Sequence, residues 1–278
     1  MTKTRFRNSL LAKILSICLM CILVPMLVNL FYTSYSASRA LQTEAGNSLS
    51  RLAQEKAKQV DSVFNMQFDM SNAMVNELFT VDFFKQLAAT NQVDHAKLNE
   101  LSRYLQKRVP NANGLYENMF FSYHGKVFAD GIGGKSVGHV FDKKSEAYYY
   151  EELQHPGVHT SNYMYSPVSG RPVIAVANSI MDNSGKKVLS VSVIAVDISK
   201  LTQSVVQGTS GQNVGTMILD PSGLVVASDK SGQTLKLNFS KQTGDVKAFY
   251  DKMMGQPSGI GYFTIDGVKN IASTVKMA

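Results

Sequence analysis

The chain has 278 residues, 44% apolar and 18% charged, a globular composition that suits one large domain or two small ones. Its net charge of +7 is uneven: Lys3, Arg5, Arg7 and Lys13 supply +4 ahead of residue 33, where no acidic residue stands, and +3 remains for the rest. A charge so mild, with no dense Lys/Arg stripe, excludes a nucleic-acid binder.

Residues 1–13 form a basic N-terminus that leads into ILSICLMCILVPMLVNLFY, residues 14–32, a run without a charge. Such a run spans a bilayer core as one helix, and the basic cluster before it predicts that everything after about residue 33 lies outside the cytoplasm. A cleaved signal peptide is the rival reading, with Ser36-Ala37-Ser38 as a small-x-small site. The apolar run exceeds a usual signal h-region, so a retained anchor is expected. Cys18 and Cys21, the only cysteines, lie inside this run. Their C-x-x-C spacing has no second ligand pair for zinc, and bulky Ile17 and Met20 before them argue against lipidation. The external part is cysteine-free, which excludes a disulfide scaffold.

Residues 33–80 contain no Pro, and their only Gly is Gly46. Leu41, Ala45, Leu49, Leu52, Val60, Val63 and Phe64 recur mostly three or four apart, which predicts one long amphipathic stalk helix. Such a stalk is either a dimer seam or a mast against which a head packs. A second helix is expected over about 94–109, ending at Pro110 and the turn residues NANG.

Short apolar strands with Gly, Asp, Asn and Ser turns then dominate, and they repeat. Residues 119–141, MFFSYHGKVFADGIGGKSVGHVF, align without a gap on 217–239, MILDPSGLVVASDKSGQTLKLNF, at an offset of 98. Gly125/Gly223, Val127/Val225, Ala129/Ala227 and Phe141/Phe239 are among the identities. YYEEL (149–153) matches FYDKM (249–253), and GRPVIA (170–175) matches GVKNIA (267–272). Each copy reads hairpin, short helix, further hairpin, over 81–200 and 201–278. The first copy continues into VLSVSVIAVDIS, whereas the second reaches Ala278 before any equivalent. The second sheet is therefore expected to lack its closing strand, with a second membrane helix and a cytoplasmic part to follow.

Three tyrosines, Tyr148, Tyr149 and Tyr150, stand side by side in SEAYYYEELQ and would fan over about 200° of a helix. Tyr149 and Tyr150 have counterparts in Phe249 and Tyr250, and so read as scaffold packing. Tyr148 and Tyr163 have none, which places whatever distinguishes the first copy near them.

Other motifs carry less. ADGIGGKS, 129–136, departs from a phosphate loop at Ala129 and sits in a hairpin, so its glycines read as turn formers. His139, His155 and His159 lie near Glu151 and Glu152, but Pro156-Gly157 breaks the helix an i, i+4 metal pair would need, and no metal is expected. Ser184 and Lys187 have S-x-x-K spacing in a turn where that motif needs a helix. Arg171 and Lys135 either clamp a carboxylate or face water. Asp197 ends an apolar run where a carboxylate is costly unless partnered. It reads equally as the partner of a ligand ammonium or as the N-cap of ISKLTQSV, and one Asp can do both.

The order of membrane helix, stalk and two tandem sheet units resembles the double Cache sensor domains of bacterial transmembrane receptors. YYYEEL, YMYSPVSGRPVIAVANSI and VLSVSVIAVDIS carry the resemblance, similar to an aromatic pair on a short helix, a Tyr before a T/S-G hairpin and a strand ending in V-D-I. It implies an α+β fold of two PAS-like antiparallel-sheet units on a stalk, with a ligand in the membrane-distal unit, residues 81–200. It also implies a sensor without enzymatic activity or cofactor, most often in a methyl-accepting chemotaxis protein, otherwise in a histidine kinase or diguanylate cyclase. The implied partners are a small-molecule ligand, the membrane and a second copy through the stalk. In the amino-acid-binding branch an Arg two positions before a Trp-Tyr pair holds the ligand carboxylate, while a Tyr and the final-strand Asp hold the amino group. The pair falls on Tyr149 and Tyr150, the later Tyr on Tyr163 and the Asp on Asp197. The Arg position is Ala147, so the carboxylate clamp is absent unless Lys143, Lys144 or Arg171 substitutes. An amine or other small polar metabolite is expected as much as an amino acid. An extracytoplasmic hydrolase would need a nucleophile and base that the sequence does not offer together. A ligand-free protein-interaction head requires a pocket packed solid.

Overall fold

The computed structural model describes residues 10–111, 113–206, 214–230, 232–265 and 267–277. Helix α1 runs unbroken from Leu10 to Asn76, so apolar run and stalk form one rod. Among the described residues it is the one helix long and apolar enough to cross a membrane. Glu77, with extended backbone, interrupts it, three residues before the expected end of the stalk, and α2 follows over Leu78–Thr90. Asn91 closes α2 in the left-handed conformation (φ 51°), its N–H bonded to the Leu87 carbonyl. Helix α3, His95–Asn111, starts where the Asp94 carboxylate accepts the N–H groups of Ala96 and Lys97. It carries Pro110 in its last turn rather than stopping before it.

Six antiparallel strands follow: β1 (Tyr116–Tyr123), β2 (Lys126–Asp130), β3 (Val158–Thr160), β4 (Met164–Tyr165), β5 (Pro172–Met181) and β6 (Val188–Asp197). Their order is β2-β1-β6-β5-β3, with β4 also on β5. The VLSVSVIAVD run is thus the central strand, and Ser190–Asp197 are all buried, which is why it reads as a nearly continuous apolar stretch. Alternation along the strands gives the sheet two faces. Met119, Phe121, Val176 and Ile194 pack on the helical side with Phe83, Phe84, Leu101 and Leu105. Phe120, Val127, Ala175 and Val193 face the other way, with Phe141, Tyr148 and Tyr149. Each fully buried ring contributes about 1.5–3 kcal/mol, so the helices are fixed to the sheet by this aromatic seam.

Helix α4 (Ala147–Gln154) covers the second face, and α5 (Ile198–Val206) leads onward from β6. The second unit contains β7 (Met217–Leu219), β8 (Val225–Ser228), α6 (Gly244–Met254), β9 (Ser258–Ile265) and β10 (Val268–Val275). Its core is Val225, Phe239, Val246, Phe249, Met253 and Phe263. Here β7–β8 and β9–β10 are separate two-stranded sheets. The rod α1 touches both units. Ser273 on β10 donates to the Ser50 hydroxyl (3.2 Å), and a side chain on Gly46 would meet Ile260 at 3.2 Å. Further along, Asn178 on β5 donates to the Asn72 side chain (2.9 Å).

The two copies share bridges and turn geometry along the repeat. The isolated bridges Lys126↔Val140 and Leu224↔Asn238 differ by the same 98 positions. Gly125 and Gly223 both turn at positive φ, 77° and 85°, and their carbonyls accept the N–H of Phe141 and Phe239 respectively.

A candidate ligand pocket beneath α4

A β-bulge in β1 begins the site. Tyr116 pairs with Val196 and Asn118 with Ala195, so Glu117 is the extra residue. The bulge brings both Glu117 and Asn118 to the α4 side of the sheet, where both line one pocket. Glu117 is 6% exposed, and one of its oxygens accepts the Ser166 hydroxyl at 3.0 Å. Asn118 donates to the Ser136 hydroxyl (3.0 Å).

The glycine loop supports that wall. Asp130, buried at the end of β2, accepts the N–H groups of Gly134 (2.6 Å) and Ser136 (2.7 Å) and the Ser136 hydroxyl (2.8 Å). ADGIGGKS therefore wraps its own carboxylate: the backbone donors a phosphate would need are occupied by Asp130.

The approach to α4 supplies the next residues. Glu146, buried, accepts the Asp142 N–H and meets the His139 ring nitrogen at 2.9 Å. Within α4 the three tyrosines separate. Tyr149 stacks on Phe141 (centroids 4.0 Å, 6° apart) and its hydroxyl accepts the Gly125 N–H. Tyr150 donates to the Phe141 carbonyl (2.8 Å). Both hold the hairpin to the helix, whereas Tyr148 turns to the pocket. Burial, and secondarily the Glu146 charge, hold the Tyr148 hydroxyl well above the usual tyrosine range, so it stays a neutral donor.

The enclosed cavity is about 30 Å³; counted out through its mouth into open solvent, the space is about 390 Å³. Phe120, Val127, Val173, Ala175, Val193 and Ala195 line it from the sheet with Met164, Pro167 and Val168, and the polar groups described above line it too. An apolar lining with a few polar groups suits a small ligand with one polar head.

The other singled-out residues lie elsewhere. Asp197, 2% exposed, spends one oxygen capping α5 through the Ser199 and Lys200 N–H groups, and the other accepts Arg171 Nη1 at 2.6 Å. Both are off the pocket wall, and Arg171 is half exposed. Tyr163, half-buried, meets Tyr165 edge-on at 6.2 Å and is also off the wall. His159 lies 3.6 Å from Glu152, and no group of three or more metal-ligating side chains occurs among the described residues. Glu117, Asn118, Glu146 and Ser166 were not legible as site residues. Their one sequence signal is a polar pair, Glu117-Asn118, inside the otherwise apolar YENMFF.

A double Cache family model, described as a Cache domain, matches residues 37–278. The chain belongs to the Cache family. Solved structures share the Cache fold at low identity. The ligand-binding domain of the Campylobacter jejuni chemoreceptor Tlp3, in complex with 4-methylisoleucine, is 13% identical with a TM-score of 0.62, covering 82% of this chain and 85% of its own. That of the Pseudomonas aeruginosa PAO1 amino acid chemoreceptor PctC, in complex with GABA, is 15% identical with a TM-score of 0.52, covering 71% and 82%. The sensor domain of the Vibrio cholerae histidine kinase DctB is 14% identical with a TM-score of 0.51, covering 76% and 77%. No curated protein sequence matches the chain. The Cache pocket described above lies in the first of the two units, between its sheet and α4.

Proposed function

We propose that this Cache chain is the extracytoplasmic sensing part of a transmembrane chemoreceptor that takes a small polar metabolite, amine or amino-acid-like, in the pocket beneath α4. The observation that carries the reading is the pocket itself, lined by apolar sheet residues together with the buried polar groups of Glu117, Asn118, Glu146 and Tyr148, beneath a helix that the sheet links to the stalk. Residues 14–32 of α1 are the membrane span and 33–80 the stalk, with residues 81–200 as the distal, ligand-binding unit and 201–278 as the proximal one. Leu41, 71% exposed on α1, belongs to a face available for a second copy. The domain is a binder rather than an enzyme. A sensor-kinase input domain is the second reading, favoured by the likeness to the DctB sensor domain.

Transmission needs a link from α4 to α1, and polar contacts supply one. Glu152 on α4 accepts the Ser179 hydroxyl, Ser179 N–H donates to Asn178 Oδ1, and Asn178 donates to Asn72 on α1. Ser179 and Asn178 are adjacent on β5 and so project to opposite faces, which carries the chain of contacts through the sheet. A ligand that binds one position of α4 better than another then biases the rod.

Thermal melting of the whole chain in detergent against amines, amino acids and organic acids tests the sensor reading. A ligand at 100 times its Kd adds about 2.7 kcal/mol to stability, a clear rise in Tm. A folded protein with no shift across the panel would replace the sensor reading by a ligand-free interaction head.

A further inference from the structure

We infer that Glu117 is the recognition residue for a ligand ammonium and that the pocket selects small primary amines lacking a carboxylate. This rests on the sensor reading above and names its ligand class. Asp197, the acid that the resemblance assigns to an amino group, is already neutralised by Arg171 at 2.6 Å and committed to the α5 cap. Glu117 lines the pocket, is more than nine-tenths buried, and has a single hydroxyl as partner. No Lys or Arg lines the pocket or forms an ion pair with Glu117 among the described residues. A buried carboxylate in that setting is costly until a cation joins it.

Another group that lines the pocket suits the same head group. Tyr148, also more than nine-tenths buried, lines the pocket with a hydroxyl that bonds nothing among the described residues. A primary ammonium carries N–H donors for a Glu117 oxygen and for the Tyr148 hydroxyl oxygen, and the rings of Phe120 and Tyr148 add cation–π attraction. A quaternary ammonium would leave those acceptors unused. The apolar lining takes a short aliphatic or aromatic body. The pocket's only other ionisable pair, His139 with Glu146, is internally matched. A ligand carboxylate would therefore meet two acidic side chains and no Lys or Arg.

Isothermal titration of the full chain in detergent decides it, using a series of primary amines from ethylamine to hexylamine with phenethylamine, and butyrate and γ-aminobutyrate as matched acids. At least one amine should bind, butyrate should not, and γ-aminobutyrate should bind at least tenfold more weakly than butylamine. Glu117→Gln keeps the shape and the acceptor for Ser166 and should weaken the amine at least tenfold with an unchanged Tm. Asp197→Asn should lower Tm and leave amine affinity in place. Silence of the whole amine series, butyrate or γ-aminobutyrate binding as tightly as butylamine, or full affinity in Glu117→Gln would each overturn the inference. If Glu117→Gln fails to fold, the wild-type selectivity decides by itself. Binding of acids or amino acids that Tyr148→Ala abolishes would retain the sensor reading while removing the amine; silence to every ligand class would remove both.

Discussion

The two units of this chain are built on one plan and diverge where their helices meet the sheet. Positions that pack are kept: Phe141 and Phe239, Val127 and Val225, Tyr149 and Phe249 occupy equivalent places in two separate cores. Polar positions that line the first pocket are not. Along the alignment Glu117, Asn118 and His139 become Gly215, Thr216 and Leu237, and Glu146 and Tyr148 become Val246 and Ala248. Val246 joins the apolar core of the second unit, and Phe249 lies so close over Gly261 that an added Cβ would sit 2.7 Å from its ring. The second unit thus has apolar Leu237, Val246 and Ala248 where the first has His139, Glu146 and Tyr148.

The equivalence is most severely tested in the cores. Tyr149→Ala and Phe249→Ala should each destabilise by about 3–5 kcal/mol, read by denaturant unfolding. A cost for Phe249→Ala near zero would break the parallel. Next comes the polar connection between Asp197 and Arg171 in the first unit. Asp197→Ala removes the α5 cap and strands Arg171, and should cost about 1–2 kcal/mol, most of it from the cap. Arg171→Ala should cost under about 1 kcal/mol, because its half-exposed end is solvated when unpaired. Equal losses for the two variants would show that the ion pair, not the cap, is what Asp197 provides.

Tyr148 gives the comparison a pH signature. Its folded pKa is raised, so its contribution is complete below the ordinary tyrosine pKa of about 10 and is lost as pH rises above that value. Tyr148→Phe should flatten the fall of Tm with pH on that alkaline limb, and an unchanged slope would contradict burial as the cause. Ala248 offers the second unit no such group. The smallest effect is expected at Asp142, whose carboxyl is held below its ordinary range chiefly by the Ser145 hydroxyl, then by the Ser145 N–H. Its contribution is present above the ordinary carboxylate pKa and is lost as pH falls through the depressed one. Asp142→Asn should slightly flatten the acid limb of a melting profile.

Much of the plan was legible in the amino-acid order because it is set by local rules. A charge-free run, a Pro-free stalk with apolar spacing of three and four, and glycines at tight turns dictate elements before any packing occurs. The repeat suggested a packing role for Tyr149 and Tyr150 while the resemblance offered them as ligand-binding residues; in the structure they contact Phe141 and its hairpin and are not among the pocket-lining residues. The site was less legible. Whether Glu117 faces the helices or the pocket depends on a one-residue bulge whose only trace is the polar pair in YENMFF. Whether Asp197 is free for a cation depends on Arg171, which lies 26 positions away and meets it only because β5 and β6 pair in that register.

By itself, then, the sequence determined the rod, the two sheet units and the family, because periodicity, turn chemistry and repetition act over neighbouring residues. Only the tertiary structure decided which acid is matched and which is left facing the pocket. Burial and charge pairing are set by what distant strands bring within a few ångströms, and that is a property of register rather than of spacing along the chain.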